Sequence, residues 1–161
     1  MAEKMAKEIM NKKVITITGE KSIFELAELL INNNISGVPV VDKKNILKGI
    51  VSETDIVDLL KKDETFYPMM VFPIYNFAYV DPDLYLQGYE KKKEDLAKTT
   101  VEEIMKTWVK KAKGDTPESE MADIMINNKV NRVPIVDDDN KVIGIITRSD
   151  LVKSMIERGD K

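Results

Sequence analysis

The chain has 161 residues, of which 43% are hydrophobic and 33% are charged, and this composition is ordinary for a folded globular protein. Its 25 basic and 28 acidic side chains give a net charge of -3, which disfavours general binding to a nucleic-acid backbone. The absence of Cys and His excludes disulfide bonds, thiol catalysis and the commonest general base.

The first predicted elements are a short strand near 14–18 and a helix that begins at Ser22. Ser22 is followed three residues later by Glu25, which is the pattern of a helix capping box. The apolar residues that follow recur at helical spacing. We expect them to form one buried face: Leu26, Ala27, Leu29 and Leu30.

A hairpin and a second helix are predicted next. Two β-branched runs are separated by a polar turn at 42–45, and the second run ends at Ser52. Amphipathic spacing over 55–60 then predicts a helix with Asp55 in its first turn, where the helix dipole favours a carboxylate. The predicted unit is therefore β-α-β-β-α.

The following segment, 61–100, is longer than a usual connection inside a compact domain. Eight of the ten aromatic residues of the chain lie in it: Phe66, Tyr67, Phe72, Tyr75, Phe77, Tyr79, Tyr85 and Tyr89. Because exposed apolar patches usually mark interfaces, we expect this insert to pack against the body or to form a homodimer contact. A lid whose aromatic ring stacks on a ligand is the alternative interpretation.

The rest of the chain repeats the first unit without gaps, at an offset of 95 residues. Three blocks carry the match: 9–10 on 104–105, 38–42 on 133–137, and 49–55 on 144–150. A strand near 109–112, a helix start at Thr116-Pro117, a turn at 137–140 and a helix over 150–156 are predicted. The buried helix face of this copy is Met121, Ala122, Ile124 and Met125.

We therefore expect an α/β fold of the α+β type, with one repeat at 1–60, the aromatic-rich insert at 61–100 and a second repeat at 101–161. A sheet of three short strands with helices on one face leaves its other face open. Pairing of the two repeats sheet to sheet about a pseudo-two-fold axis would cover both open faces.

The blocks GVPVVD…GIVSETD and RVPIVD…GIITRSD resemble the motifs of the cystathionine-β-synthase (CBS) domain, and the two copies together resemble a tandem CBS pair. The resemblance covers 6–60 and 101–157. It implies a disc-like body that binds ligands carrying adenosine in two clefts between the repeats. It also implies regulation rather than catalysis.

The polar candidates for the ligand site lie where each hairpin ends and the next helix begins. They are Ser52, Thr54, Thr147 and Ser149. Hydroxyl groups and helix N–H groups at this place would suit a phosphate. The resemblance assigns Asp55 and Asp150 to the two hydroxyls of a ribose, and plain helix capping is the alternative.

The resemblance also implies apolar walls for the base of the ligand. They would be Ile17, Val38, Pro39, Ala112, Val133 and Pro134, although ordinary strand packing explains these residues as well. Arg132 stands where relatives carry a cation for phosphates, whereas the matching residue of the first repeat is Gly37, so the two clefts are not expected to be equivalent. In some relatives that cation serves the Asp of the other repeat, here Asp55; a surface salt bridge is the alternative for Arg132.

These features favour a regulatory sensor whose ligand is AMP, ADP, ATP, S-adenosylmethionine or methylthioadenosine, read by a regulated partner protein. The alternative is a constitutive dimerisation or docking scaffold with vestigial clefts. Binding of single-stranded nucleic acid through aromatic and Lys side chains is a more distant third.

No catalytic residue, required cofactor or metal site is predicted. The chain has no Gly-rich phosphate loop, and the acidic turn at 137–140 lacks the Gly and Glu of a calcium loop. No run approaches the roughly 20 apolar residues of a spanning helix. We expect a cytoplasmic homodimer that contacts no membrane.

Overall fold

The computed structural model describes residues 3–62 and 94–159. Its helices include α1 (Ala6–Ile9), α2 (Ile23–Asn33), α3 (Glu53–Lys62), α4 (Val101–Ile104), α5 (Glu118–Asn127) and α6 (Arg148–Gly159). Its strands are β1 (Ile17–Thr18), β2 (Gly37–Val41), β3 (Leu47–Ser52), β4 (Arg132–Val136) and β5 (Val142–Thr147). One sheet has the order β1-β2-β3, and the other pairs β4 with β5 antiparallel. The predicted α+β fold class is confirmed, while every role proposed for the aromatic residues at 66–89 falls outside the described residues.

Helix α2 begins where the capping-box pattern predicts. The Ser22 hydroxyl accepts a hydrogen bond of 3.2 Å from the Glu25 N–H, and the Glu25 carboxylate accepts one of 2.9 Å from the Ser22 N–H. Before α4 the Glu103 carboxylate likewise accepts from the Thr100 N–H, at 2.6 Å, while the Glu103 N–H donates to the Thr100 carbonyl at 3.2 Å. These bonds satisfy N–H groups that have no partner inside a helix.

Helix α5 begins one residue later than the Thr-Pro pattern predicts. Pro117, in an extended conformation, precedes the helix, and the prediction that the helix begins at the Thr116-Pro117 pair is wrong by that residue. The Thr116 hydroxyl instead accepts from the Lys113 N–H at 3.1 Å and closes a local turn. Helices α3 and α6 begin two residues before the predicted 55 and 150, because each follows directly on its strand.

The lead-in segments of the two repeats differ in their pairing. The predicted strand at 14–18 is reduced to the two residues of β1. The one predicted at 109–112 forms no strand within the described part of the chain, and its Ala112 makes only an isolated parallel bridge to Ile135.

The described residues form two compact units that do not follow chain order. Unit 1 contains 3–16, 39–49 and 107–159, and unit 2 contains 17–38, 50–62 and 94–106. Each unit therefore includes a segment that lies outside its main repeat in the sequence. The domain division at 1–60, 61–100 and 101–161 stays a prediction.

In unit 1 the first residues of the chain complete the second repeat. The Asn11 N–H donates to the Ile145 carbonyl at 2.9 Å, and the Ile145 N–H donates back at 3.0 Å. The Ala6 N–H donates to the Thr116 carbonyl at 2.8 Å, and Ala6 is fully buried. Gly144 lies so close to the Met10 side chain that a Cβ would collide with its sulfur.

Unit 2 shows the same bonds shifted by the repeat offset. The Lys106 N–H donates to the Ile50 carbonyl at 2.9 Å, and the Ile50 N–H donates back at 3.0 Å. The Val101 N–H donates to the Lys21 carbonyl at 2.8 Å, and Val101 is fully buried as Ala6 is in unit 1. The short helices α1 and α4 thus occupy equivalent places in the two units.

The predicted polar turns are hairpin turns, and both tips lie in unit 1. Asn45 and Asn140 each adopt φ of 63°, a left-handed conformation that Asn tolerates better than most residues. The Asn45 side chain donates to the Val142 carbonyl at 2.9 Å, and the Asn140 side chain donates to the Leu47 carbonyl at 3.1 Å. The two turns therefore support each other reciprocally.

Each unit has its own apolar core built from the predicted helix faces. The buried residues of unit 1 include Ala6, Ala112, Met121, Met125, Val133, Ile135 and Ile146. Those of unit 2 include Ile17, Ile23, Leu26, Leu30, Val38, Val51 and Val101. Burial of such side chains supplies the main favourable free energy of folding.

Leu26→Ala tests the core of unit 2. Leu26 is completely buried, so its truncation removes transfer free energy and leaves a cavity, and we expect a loss of about 2–5 kcal/mol in the free energy of unfolding. Urea denaturation followed by circular dichroism measures it. Glu28→Ala on the exposed side of the same helix is the control and should change stability by no more than about 0.5 kcal/mol. Equal effects of the two variants would contradict this packing.

The capping carboxylates predict how stability depends on pH. The Lys21 ammonium and the Ser22 N–H lower the pKa of Glu25, and the Thr100 N–H lowers the pKa of Glu103. A carboxyl with a lowered pKa in the folded state stabilises the fold above its ordinary pKa, and the contribution is lost as pH falls through the lowered value. Thermal unfolding between pH 7 and 2 should therefore show less acid sensitivity in the double variant Glu25→Gln, Glu103→Gln. An acid profile identical to that of the unaltered chain would refute the assignment.

Candidate functional site

The strand-to-helix junction of unit 2 brings Ser52 and Asp55 together. Strand β3 ends at Ser52 and α3 begins at the next residue, which places Asp55 in the first helical turn. The Ser52 N–H and hydroxyl both donate to Asp55 Oδ2, at 2.8 and 2.7 Å. Asp55 is only 8% exposed. Its carboxylate is thus fixed by two short bonds of the charge-assisted kind.

Unit 1 repeats this arrangement with Thr147 and Asp150. The Thr147 N–H and hydroxyl donate to Asp150 Oδ2 at 2.8 and 2.6 Å. Asp150 is half-buried, whereas Asp55 is buried. We call the two arrangements the Ser52–Asp55 pair and the Thr147–Asp150 pair.

The two pairs show that capping and ligand binding need not compete for the same atom. Capping uses Oδ2 of each Asp, so the second oxygen, Oδ1, remains available for another group. Oδ1 of Asp150 makes no hydrogen bond or ion pair to any described residue, whereas Oδ1 of Asp55 lies 2.9 Å from the Lys106 ammonium. Both readings of the aspartates left open by the sequence are therefore compatible with this geometry.

Several of the groups expected to suit a phosphate donate hydrogen bonds within their own unit. The hydroxyl hydrogens of Ser52 and Thr147 are directed to the aspartates. The first N–H groups of the helices are also used, because Glu53 N–H donates to the Ser36 carbonyl at 3.1 Å and Arg148 N–H to the Asn131 carbonyl at 3.2 Å. Phosphate binding at these two junctions stays a prediction.

Thr54 and Ser149 are exposed on the first turns of α3 and α6. Nothing in their surroundings assigns them a ligand, so their part in phosphate binding stays a prediction.

Arg132 lies beside the Thr147–Asp150 pair within unit 1. It is the first residue of β4 and the direct cross-strand partner of Thr147, and directly opposed residues project from the same face of a sheet. Arg132 is half-buried. Binding of Arg132 to a phosphate or to Asp55 stays a prediction. The residue directly opposite Arg132 in the sheet is Thr147.

The predicted base-binding residues are part of the apolar packing of their units. Ile17 and Val38 are buried in unit 2, and Pro39, Ala112, Val133 and Pro134 are buried in unit 1. Ala112 is held by backbone bonds, since its N–H donates to the Pro134 carbonyl at 3.1 Å and its carbonyl accepts from Val136 at 2.9 Å. Strand packing accounts for these positions, and contact with a base stays a prediction.

Lys106 is the site residue that sequence reasoning missed. It comes directly after the repeated Ile-Met block, and the matching residue of the first repeat is Asn11. A difference in charge at one position of an otherwise matching block was the available signal. Its meaning was hidden because nothing local indicates that Lys106 reaches Asp55.

The described residues contain neither a metal-binding cluster of side chains nor a membrane-spanning helix. Residues 3–62 and 94–159 contain no group of three or more acidic, Cys or His side chains that could hold a metal ion. No helix in those ranges is long and apolar enough to cross a bilayer.

Comparison with known proteins identifies the two repeats. The CBS-domain family profile matches residues 6–62 and 101–157, which together make up most of the chain. The chain belongs to the CBS domain family. This confirms the resemblance carried by the two motif blocks, and the chain contains two CBS repeats.

Two relatives of this CBS pair differ in how much of their own length the match covers. An uncharacterized Methanocaldococcus jannaschii protein, MJ1426, is 32% identical over 94% of this chain and 91% of its own length. Inosine-5'-monophosphate dehydrogenase of the same organism is also 32% identical, but the match spans only 24% of that enzyme. CBS pairs similar to this one therefore occur both as most of a small protein and as a part of an enzyme.

A solved structure has a fold similar to that of this chain. The CBS domain pair of protein MJ0100, in complex with 5'-methylthioadenosine and S-adenosyl-L-methionine, has a TM-score of 0.71 and 29% identity. The alignment covers 99% of this chain and 100% of that one. The ligands of that CBS pair both carry an adenosine group.

Proposed function

We propose that this CBS pair is a non-catalytic regulatory module that binds an adenine nucleotide or another adenosyl compound through the ribose. The observation that carries the proposal is the repeated Asp whose Oδ2 is fixed by a Ser or Thr while Oδ1 takes no part in those bonds. The adenosyl ligands of the similar MJ0100 pair support it.

The chemistry of a ribose fits the Thr147–Asp150 pair in particular. The 2'- and 3'-hydroxyls are hydrogen-bond donors, and an ionised carboxylate oxygen is a strong acceptor with two lone-pair directions. The carboxylate is already oriented by two bonds from Thr147, so little further ordering is needed when a ligand binds. Asp150 Oδ1 is the atom that would accept the ribose hydroxyls.

Regulation would follow from differential binding. A ligand that binds one arrangement of the chain better than another shifts the population toward the first, and a partner protein can bind the favoured arrangement. The regulated protein is one of unidentified chemistry, and the module requires no cofactor. We place its action in the cytoplasm.

Asparagine variants test the ribose contact while they preserve the helix start. Asp150→Asn keeps one oxygen that can accept from Thr147 but replaces the other by an NH2 group, which cannot accept a ribose hydroxyl. We expect 5'-methylthioadenosine at about a hundred times its dissociation constant to stabilise the unaltered chain by about 2.7 kcal/mol. The double variant Asp55→Asn, Asp150→Asn should lose at least about tenfold in affinity.

Thermal unfolding and calorimetry measure both effects, with S-adenosylmethionine and AMP as further ligands. Asp139→Asn is the control, because this exposed hairpin carboxylate lies outside both pairs and should leave binding unchanged. Full stabilisation of the double variant by the same ligand would show that the aspartates do not bind ribose.

A docking or dimerisation scaffold is the second candidate, favoured by one observation. Exposed apolar residues occupy matching helical positions in both repeats, with Ile31 75% and Ile126 69% exposed, and Val57 and Val152 more than half exposed. Such residues on a helix surface are typical of an interface. A homodimer formed through these helices is the simplest form of this proposal.

The molecular mass in solution tests that scaffold. Ile126→Glu and Val152→Glu should halve the mass measured by light scattering if the exposed helix residues hold two copies together, because a buried unpaired carboxylate is costly. Lys153→Asn on the same helix is the control. A monomeric unaltered chain would rule the homodimer out.

A further inference from the structure

The positions of Lys106 and Asn11 are equivalent in the backbone but differ in charge. Each exchanges two backbone hydrogen bonds with one strand residue, Lys106 with Ile50 in unit 2 and Asn11 with Ile145 in unit 1. The four bonds are between 2.9 and 3.0 Å. The backbone therefore presents a Lys side chain in one unit where it presents an Asn in the other.

The Lys side chain forms an ion pair with the neighbouring carboxylate. The Lys106 ammonium lies 2.9 Å from Asp55 Oδ1, while Ser52 occupies Oδ2. Both oxygens of Asp55 are thus engaged. In unit 1, no described residue forms an ion pair with Asp150, and the Asn11 side-chain oxygen accepts from the Lys13 N–H at 2.9 Å.

The ion pair is built so that the carboxylate stays while the cation can move. The Asp55 side chain is 8% exposed and held by Ser52, whereas the Lys106 side chain is 63% exposed. A ribose that binds Oδ1 must therefore displace the ammonium. An ammonium on a four-carbon stem needs only a small rotation to reach another oxygen anion nearby.

We infer that Lys106 determines specificity at Asp55: it leaves Asp55 Oδ1 when ribose binds and pairs with an anionic group, such as a 5'-phosphate, of the same ligand. A ligand with an uncharged tail breaks the ion pair and offers the ammonium no replacement. The Asp55 site therefore selects adenine nucleotides over uncharged adenosyl compounds. This inference rests on the proposed function, that is, on ribose binding by the aspartates.

At the Asp150 site, no described side chain forms an ion pair with Oδ1 before a ligand binds. A ribose reaches Asp150 Oδ1 without displacing a cation from it, so a neutral adenosyl ligand loses nothing there. The charge beside the two carboxylates differs in this way through Lys106, which follows the repeated Ile-Met block, and Arg132 in place of Gly37 is a further difference between the repeats.

Calorimetry with AMP and adenosine tests the inference, because the two differ only in the phosphate. The background is Asp150→Asn, which leaves Asp55 as the working carboxylate, and the variants are Lys106→Asn, which copies the other repeat, and Lys106→Arg, which keeps the charge. With Lys106→Asn we expect AMP to bind about tenfold more weakly and adenosine to bind more tightly. Lys106→Arg should keep the preference for AMP.

Opposite changes for the two ligands are the signature of this role, since a merely structural residue would weaken both. Unchanged affinities, or equal losses for AMP and adenosine, overturn the assignment of Lys106. If the unaltered chain binds but the Asp150→Asn background does not, Asp55 is no ligand site and the inference falls while the proposed function survives at Asp150. If neither ligand binds the unaltered chain, both fall. Melting curves of each variant confirm that the chain is folded.

Discussion

The exchange of backbone hydrogen bonds between distant segments is the constraint on which the rest of this CBS pair depends. Asn11 pairs with Ile145 in unit 1, and Lys106 pairs with Ile50 in unit 2. Without the first pairing, unit 1 would lack the buried Ala6. Without the second, unit 2 would lack Val101 from its core and Lys106 beside Asp55. Because each unit is completed by residues from outside its main repeat, neither repeat supplies a whole unit alone.

The same exchange explains how two repeats with matching strand-to-helix junctions place different side chains beside equivalent carboxylates. Within each unit, the Ser or Thr at the strand end and the Asp in the first helical turn are conserved by the repeat, and both fix the carboxylate in the same way. The residue beside the carboxylate comes from the exchanged segment, where one repeat has Asn11 and the other has Lys106. A change from Asn to Lys there alters the charge next to one Asp and leaves the fold of that junction unaffected.

Much of the fold was predictable because its determinants are local. The capping box at Ser22, the hairpin turns at Asn45 and Asn140, and the strand ends at Ser52 all depend on residues within a few positions of one another. The offset of 95 residues then doubled the evidence for each element. The Asp residues of the candidate site were predicted from the repeated motif for the same reason.

The features that sequence reasoning missed are those set by distant contacts. Asn11 and Ile145 have no local signal for their pairing, and Lys106 is far from Asp55 in sequence. The use of the Glu53 and Arg148 N–H groups depends on carbonyls at Ser36 and Asn131, which only the folded chain brings near. The start of α5 is the one local exception, because the Thr116 hydroxyl accepts from the Lys113 N–H instead of capping the helix.

A crystal structure of the chain grown with 5'-methylthioadenosine tests the central claim most directly. The account predicts ribose oxygens at about 2.5–2.8 Å from Asp150 Oδ1, with Oδ2 still bonded to the N–H and hydroxyl of Thr147. A ligand bound away from both aspartates, or a ribose contact that requires the Thr147–Asp150 pair to break, would contradict it.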